Sequence, residues 1–142
     1  GFDTSVLAAF KNGGSLSLQA HWRDYSAEET EAWNMPELQF DFKANIKIFN
    51  KIFIQPNIIF IGARKNSYRE RFLVQNPQDA PFMEADLPSF VNAEVKVTYQ
   101  LTDRWEFYVK GENIFNAPEF RWANYQAYGA RFLSGVRYNF DL

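Results

Sequence analysis

Residues able to do chemistry are few in this chain, and they do not converge. His21 is the only histidine among 142 residues, and there is no cysteine. It alternates with Ser17, Gln19 and Arg23 along a strand-like run. Metal binding or acid–base work needs further ligating or titrating groups at fixed spacing. None flanks His21, which reads as a solvated side chain. Glu28, Glu29 and Glu31 could gather a cation, but a solvated acidic loop explains them more simply. Glu112 and Asn113 close a strand and read as structural. Trp122, Tyr125 and Tyr128 could stack on a sugar or a chelate, or could simply pack a loop. The lack of cysteine excludes disulfides, thiolate zinc sites and cysteine nucleophiles. No nucleophile elbow, phosphate-binding glycine loop, zinc spacing or dinucleotide fingerprint occurs. The expectation is therefore no catalytic, cofactor-binding or metal residues, unassigned ligand-binding residues, and no enzyme.

The elements that would position these residues are strands. Val91, Ala93, Val95, Val97, Tyr99 and Leu101 alternate with Asn92, Glu94, Lys96, Thr98 and Gln100. After a turn at Thr102–Arg104, Trp105, Phe107, Val109 and Gly111 alternate with Glu106, Tyr108, Lys110 and Glu112. Side chains at period two point to opposite faces of a strand. Each strand thus has one apolar face and one charged face. Others follow the same rule: about Thr4 to Lys11, Ser15 to Tyr25, Leu38 to Ile48, Phe53 to Arg64, and Phe132 to Phe140. Pro56 removes a ladder donor and points to a bulge or an edge position. The stretch from Lys65 to Pro88 carries three prolines and no clear period. The fold class expected is all-β, an antiparallel meander of seven or eight long strands in one segment, residues 1–142.

Connections alternate in length. Asn12-Gly13-Gly14, Phe49–Ile52 and Thr102–Arg104 are tight, whereas the connections after the second, fourth and sixth strands are long. Short turns at one end and long loops at the other are typical of bacterial outer-membrane barrels. Formal net charge is −2, with 23% charged and 18% aromatic residues. That balance speaks against a nucleic-acid partner, which calls for a basic surplus. No run approaches the ~18 apolar residues of a membrane helix, since Ile46 to Ala63 is broken by Lys47, Asn50, Lys51, Gln55 and Asn57. Half-apolar strands span a bilayer without such a run. No basic and apolar leader opens the chain, which reads as a fragment or a mature form.

The final third resembles the end of a TonB-dependent outer-membrane receptor. The matching features are Trp105-Glu106-Phe107-Tyr108, then Glu112-Asn113-Ile114-Phe115, then Tyr128-Gly129-Ala130-Arg131-Phe132, with Gly135, Tyr138 and Phe140. Gly-Ala-Arg stands where Pro-Gly-Arg is common in that family, and Asp141 and Leu142 follow the last aromatic. The resemblance implies the C-terminal part of a barrel of about 22 strands, whose remaining strands and plug are not in this chain. It implies a bacterial outer-membrane location, contact with outer-membrane lipid, and loops that help capture a nutrient: siderophore, cobalamin, glycan or peptide. The charged faces would then line a hydrated lumen. Leu38–Phe40–Phe42 and Val91–Val95–Val97 would meet lipid. Trp22, Trp33, Trp105, Trp122, Phe49, Phe53, Phe115 and Phe120 would form interfacial girdles.

Two other architectures accommodate the same strands. One is a complete small outer-membrane barrel, with an eighth strand drawn from Lys65–Pro88. The other is a soluble barrel or sandwich whose apolar faces turn inward around a small ligand. Seven strands leave two open edges, which invites pairing with another copy and hence an oligomer of the isolated chain.

Overall fold

The computed structural model describes residues 1–25, 32–69, 76–123 and 125–140. The glutamates at 28, 29 and 31 lie outside the described residues. Seven antiparallel strands form one sheet: β1 (Phe2–Ala9), β2 (Ser15–Trp22), β3 (Leu38–Ile48), β4 (Ile52–Ile61), β7 (Phe90–Gln100), β8 (Trp105–Glu112) and β11 (Arg131–Tyr138). Their spatial order follows the chain, so the sheet is a pure meander, open at β1 and at β11. Between these strands stand a hairpin of β5 (Arg64–Arg69) and β6 (Phe82–Leu87) and a small pair of β9 (Phe120–Trp122) and β10 (Tyr125–Gln126).

Register decides which side chains share a face. Ala20 lies opposite Phe40, Phe40 opposite Phe60, and Phe60 opposite Val91. One step down, Leu18, Phe42, Ile58 and Ala93 are in line; lower still, Ile46, Ile54, Val97 and Val109 are. A one-residue slip at any pair would put charge into this surface. The seven separate alternations thereby fuse into one continuous apolar face.

Nothing among the described residues covers that face. Val6, Val109 and Val136 are each more than half exposed, and among the described residues no large side chain is fully buried. The few buried apolar residues, Ala80, Leu87, Phe90 and Ala93, contribute no second layer to the sheet. This contradicts the soluble alternative, in which the apolar faces would turn inward around a core. The small-barrel alternative also fails for this chain. The Lys65–Pro88 stretch supplies no eighth wall strand, because β5 and β6 pair only with each other.

That hairpin is a correction to the irregular connection expected from its prolines. Arg-Lys-Asn-Ser-Tyr-Arg has no apolar alternation to read, and β5 stands outside the seven-stranded sheet and its apolar face. Pro56 is corrected as well. It sits in β4, a central strand, and neither an edge nor a bulge accommodates it. Pairing with β3 lapses beside it, then resumes in unchanged register from Ile46↔Ile54, while Pro56 keeps its place opposite Val95. The missing N–H thus costs a local gap in the ladder and no shift.

Tight packing across the polar face fixes Gly135. A Cβ there would meet the Tyr108 hydroxyl at 2.5 Å, so the ring lies flat over the glycine of the neighbouring strand. Replacing Gly135 with Val would displace that ring or separate β8 from β11. A loss of ~1–3 kcal/mol, typical of overpacking, is expected in urea unfolding of the folded chain in vesicles. Unchanged stability would show that Tyr108 does not need the glycine.

Candidate functional site

The polar face carries ordered charge. Lys110 lies 2.6 Å from Glu112 and 3.4 Å from Glu94, and Arg131 reaches the other Glu112 oxygen at 2.7 Å. These contacts offset the direct opposition of Lys96 and Lys110 in neighbouring strands, an arrangement that is otherwise repulsive. Lys96 turns its ammonium over the Tyr108 ring instead. At the first hairpin, Arg23 grips both oxygens of Asp3, at 2.7 and 2.8 Å. His21 Nδ1 is 2.7 Å from Asp3 and Nε2 is 3.9 Å from Asp41. The histidine is therefore partnered on both sides, by residues far from it in sequence. Among the described residues no group of three His, Asp or Glu side chains could hold a metal ion.

At the long-loop end two adjoining hollows open on this face. One, of about 600 Å³, is lined by Asn34, Gln39, Arg64, Phe90 and Trp122. The other, of about 530 Å³, is lined by Glu112, Asn113, Tyr125, Tyr128 and Arg131. Asn92, Glu94 and Glu119 border both. Both volumes fall in the range of small-molecule sites.

Arg64 organises the first hollow. Its Nε donates to Asn34 Oδ1 at 2.7 Å, Nη2 donates to the Phe120 carbonyl, and the guanidinium lies over the Phe90 ring. Burial pulls its pKa below the usual arginine value, and the charge of Glu119 opposes that shift. Arg64 Nη1 is buried with no hydrogen-bond partner, as is Asn92 Oδ1. Glu119 is buried and accepts from Asn92 Nδ2 at 3.0 Å. The hollows thus offer both signs of charge, unspent polar atoms and exposed aromatic faces at Trp122, Tyr125 and Tyr128. That set can bind a polar, partly aromatic ligand.

The residues singled out in the sequence divide accordingly. Trp122, Tyr125 and Tyr128 come together at the hollows. His21 lies outside the residues that line them. Glu112 and Asn113 take structural positions at the rim. Asn113, in the left-handed region at φ 46°, donates to the Ala117 and Tyr128 carbonyls and accepts from the Ala117 N–H. It ties the two sides of the loop that carries β9 and β10 to the end of β8. Arg64, Asn92 and Glu119 went unassigned. For Asn92 a usable signal existed, since its parity with Glu94 and Lys96 places it on the charged face. Arg64 opens the polar strand β5 and Glu119 directly precedes β9, where no apolar alternation marks them.

Of the expected girdle, Trp105 stands at the short-turn end, where its ring lies 4.7 Å from that of Tyr138, which in turn lies 4.6 Å from that of Phe140. Trp22, Phe115 and Trp122 are exposed at the other. Phe53 is a correction. It pairs with Lys47 and Thr98 on the polar face, and the Lys47 ammonium lies 5.9 Å from its ring centre.

Solved structures share this architecture. The FpvAI–pyocin S2 complex matches 97% of the chain at a TM-score of 0.76 and 14% identity. The pyoverdine outer-membrane receptor FpvA of Pseudomonas aeruginosa PAO1, bound to pyoverdine, matches 90% at 0.65 and 17%. The fold is that of a TonB-dependent receptor barrel. The chain spans 19% of the length of either solved chain. No family model matches the sequence, and no curated protein does.

Asn113→Ala removes three hydrogen bonds and puts alanine at positive φ. About 1–3 kcal/mol of local stability should be lost, read as faster proteolysis within residues 114–130 of the folded chain. Cleavage at the rate of the unsubstituted chain would contradict the tethering role.

Proposed function

We propose that this chain is the C-terminal part of the barrel of a TonB-dependent nutrient receptor in a bacterial outer membrane. It forms transmembrane wall and contributes long loops to ligand capture, and it does no catalysis. The observation that carries this reading is the uncovered apolar face backed by a charged face, with every wall strand joined in register. Backbone can cross hydrocarbon only if its polar groups are paired, which sheets achieve by lateral pairing. The likeness to solved receptor barrels supports the same reading. The remaining strands and the plug of the whole receptor would flank β1 and β11 and fill the lumen.

The ligand would enter from the long-loop end, where the two hollows combine aromatic faces with Arg64, Glu94 and Glu119. One similar receptor is bound to pyoverdine. A siderophore, with its polar chelating arms and flat rings, suits the mixed charge and the three aromatics of this site.

Orientation is testable in cells. With no native cysteine, Tyr125→Cys should react with a membrane-impermeant maleimide on intact cells. Asn50→Cys, in a short turn, should react only after the outer membrane is opened. Equal labelling of both on intact cells would overturn the topology. Lipid contact is tested by Val95→Lys. Val95 lies midway along β7, opposite Pro56 and Gly111. A lysine at mid-depth should cost ~2–4 kcal/mol in bilayers, and no change would refute the reading.

A further inference from the structure

Strand pairing places the single histidine in a chain of polar contacts that ends at the first hollow. His21 lies directly opposite Asp3 in β1 and Gln39 in β3. Its Nδ1 is 2.7 Å from Asp3 Oδ1, and its Nε2 is 3.9 Å from Asp41 Oδ2. That same Asp41 oxygen accepts from Gln39 Nε2 at 2.8 Å. Gln39 in turn lines the hollow of about 600 Å³, together with Arg64, Asn92 and Glu119.

The charge on the imidazole governs which donor Asp41 keeps. Arg23 holds both Asp3 oxygens, at 2.7 and 2.8 Å, so Asp3 stands as an ionised carboxylate, which only accepts hydrogen bonds. The proton of the neutral imidazole therefore sits on Nδ1. Nε2 then turns a bare lone pair towards Asp41, and at 3.9 Å no hydrogen bond joins them. A second proton makes Nε2 a cationic donor. It competes with a neutral amide for one oxygen, and charge favours the histidine. Closing the gap to the ~2.8 Å of a charge-assisted bond draws Asp41 towards β2 and away from Gln39. The charged groups that face the ring are Asp3 from β1, Arg23 just past β2 and Asp41 from β3. Glu37 stands one step further, where its carbonyl accepts the Arg23 backbone N–H. Histidine is the side chain that ordinarily changes charge between about pH 5 and 8.

We propose that His21 is a proton switch for the ligand site at the long-loop end. With the ring neutral, Asp41 holds the Gln39 amide. With the ring protonated, Asp41 turns to His21 and the Gln39 amide donates into the hollow. A ligand rich in acceptor oxygens thereby gains one N–H donor on the acid side. The switch rests on the reading of the hollows as the ligand site and adds to it a control by pH.

The test is nuclear magnetic resonance on the ¹⁵N-labelled chain folded in detergent micelles, titrated from pH 8 to 5. His21 gives one set of ring signals, because it is the sole histidine. Loss of a peak in Gln39→Asn assigns the Gln39 side-chain amide. That amide should shift along the same curve as the His21 ring, and its through-space contacts should grow towards Ile61, its cross-strand neighbour in the hollow. His21→Gln should remove the step. Asp41→Asn should remove it too while the ring still titrates. A Gln39 signal that stays in place as the ring titrates overturns the switch. So does a shift that survives Asp41→Asn, since it then reports only the field of the ring. Failure of the receptor reading shows elsewhere, as equal labelling of Tyr125→Cys and Asn50→Cys on intact cells, and leaves this titration unchanged.

Discussion

Everything in this structure depends on the pairing of backbone groups within one continuous sheet. A strand in hydrocarbon has no water to satisfy its N–H and C=O groups. Neighbouring strands must supply the partners in an unbroken series from β1 to β11. Once that ladder fixes register, alternation does the rest. Most apolar residues join one face and the charged residues the other, with Phe53, Ile59 and Leu133 as apolar exceptions on the charged face. Pro56 shows how firm the arrangement is, because loss of its donor opens a gap of two pairs and the register beyond is unchanged.

The polar face is organised by charge compensation. Lys110 sits between Glu94 and Glu112, Arg131 closes the row, and Arg137 pairs with Glu106 at 3.2 Å. Such half-exposed pairs contribute little stability each. Their effect is to leave a hydrated wall without a strong field of one sign. Towards the long-loop end the compensation becomes incomplete. Arg64 Nη1 and Asn92 Oδ1 lack partners in the protein, and this is where the hollows and the aromatic loop residues lie. Unpartnered polar atoms also stand mid-wall, at Asn45 Oδ1 and Asn57 Oδ1, whereas at the long-loop end they border hollows lined with aromatic residues.

The wall strands were legible because a half-buried strand must alternate. Leu38 to Ile48 and Phe90 to Gln100 stand out in the sequence, since every second residue lies on the apolar face. Strand ends were less clear: β1 ends at Ala9 and not Lys11, and β2 at Trp22 and not Tyr25. There the chain leaves the membrane reading and polarity no longer tracks pairing. The β5–β6 hairpin has no such signature, because β5 carries no apolar alternation. At the site, the aromatics stood out by type. Arg64 and Glu119 did not, because what brings them together is a contact between two long connections, β4–β7 and β8–β11, more than fifty residues apart. His21 looked isolated in sequence and is not, since hairpin pairing delivers Asp3 to it.

The central claim is that one face of this sheet meets lipid and the other meets water. Phe42 and Lys43 are neighbours in β3 on opposite faces. Phe42→Cys and Lys43→Cys, each labelled with an environment-sensitive fluorophore, would be reconstituted in vesicles carrying a quencher on the lipid chains. The account predicts strong quenching at position 42 and little at 43. Equal quenching at both positions, or none at either in a chain that stays soluble without detergent, would contradict it.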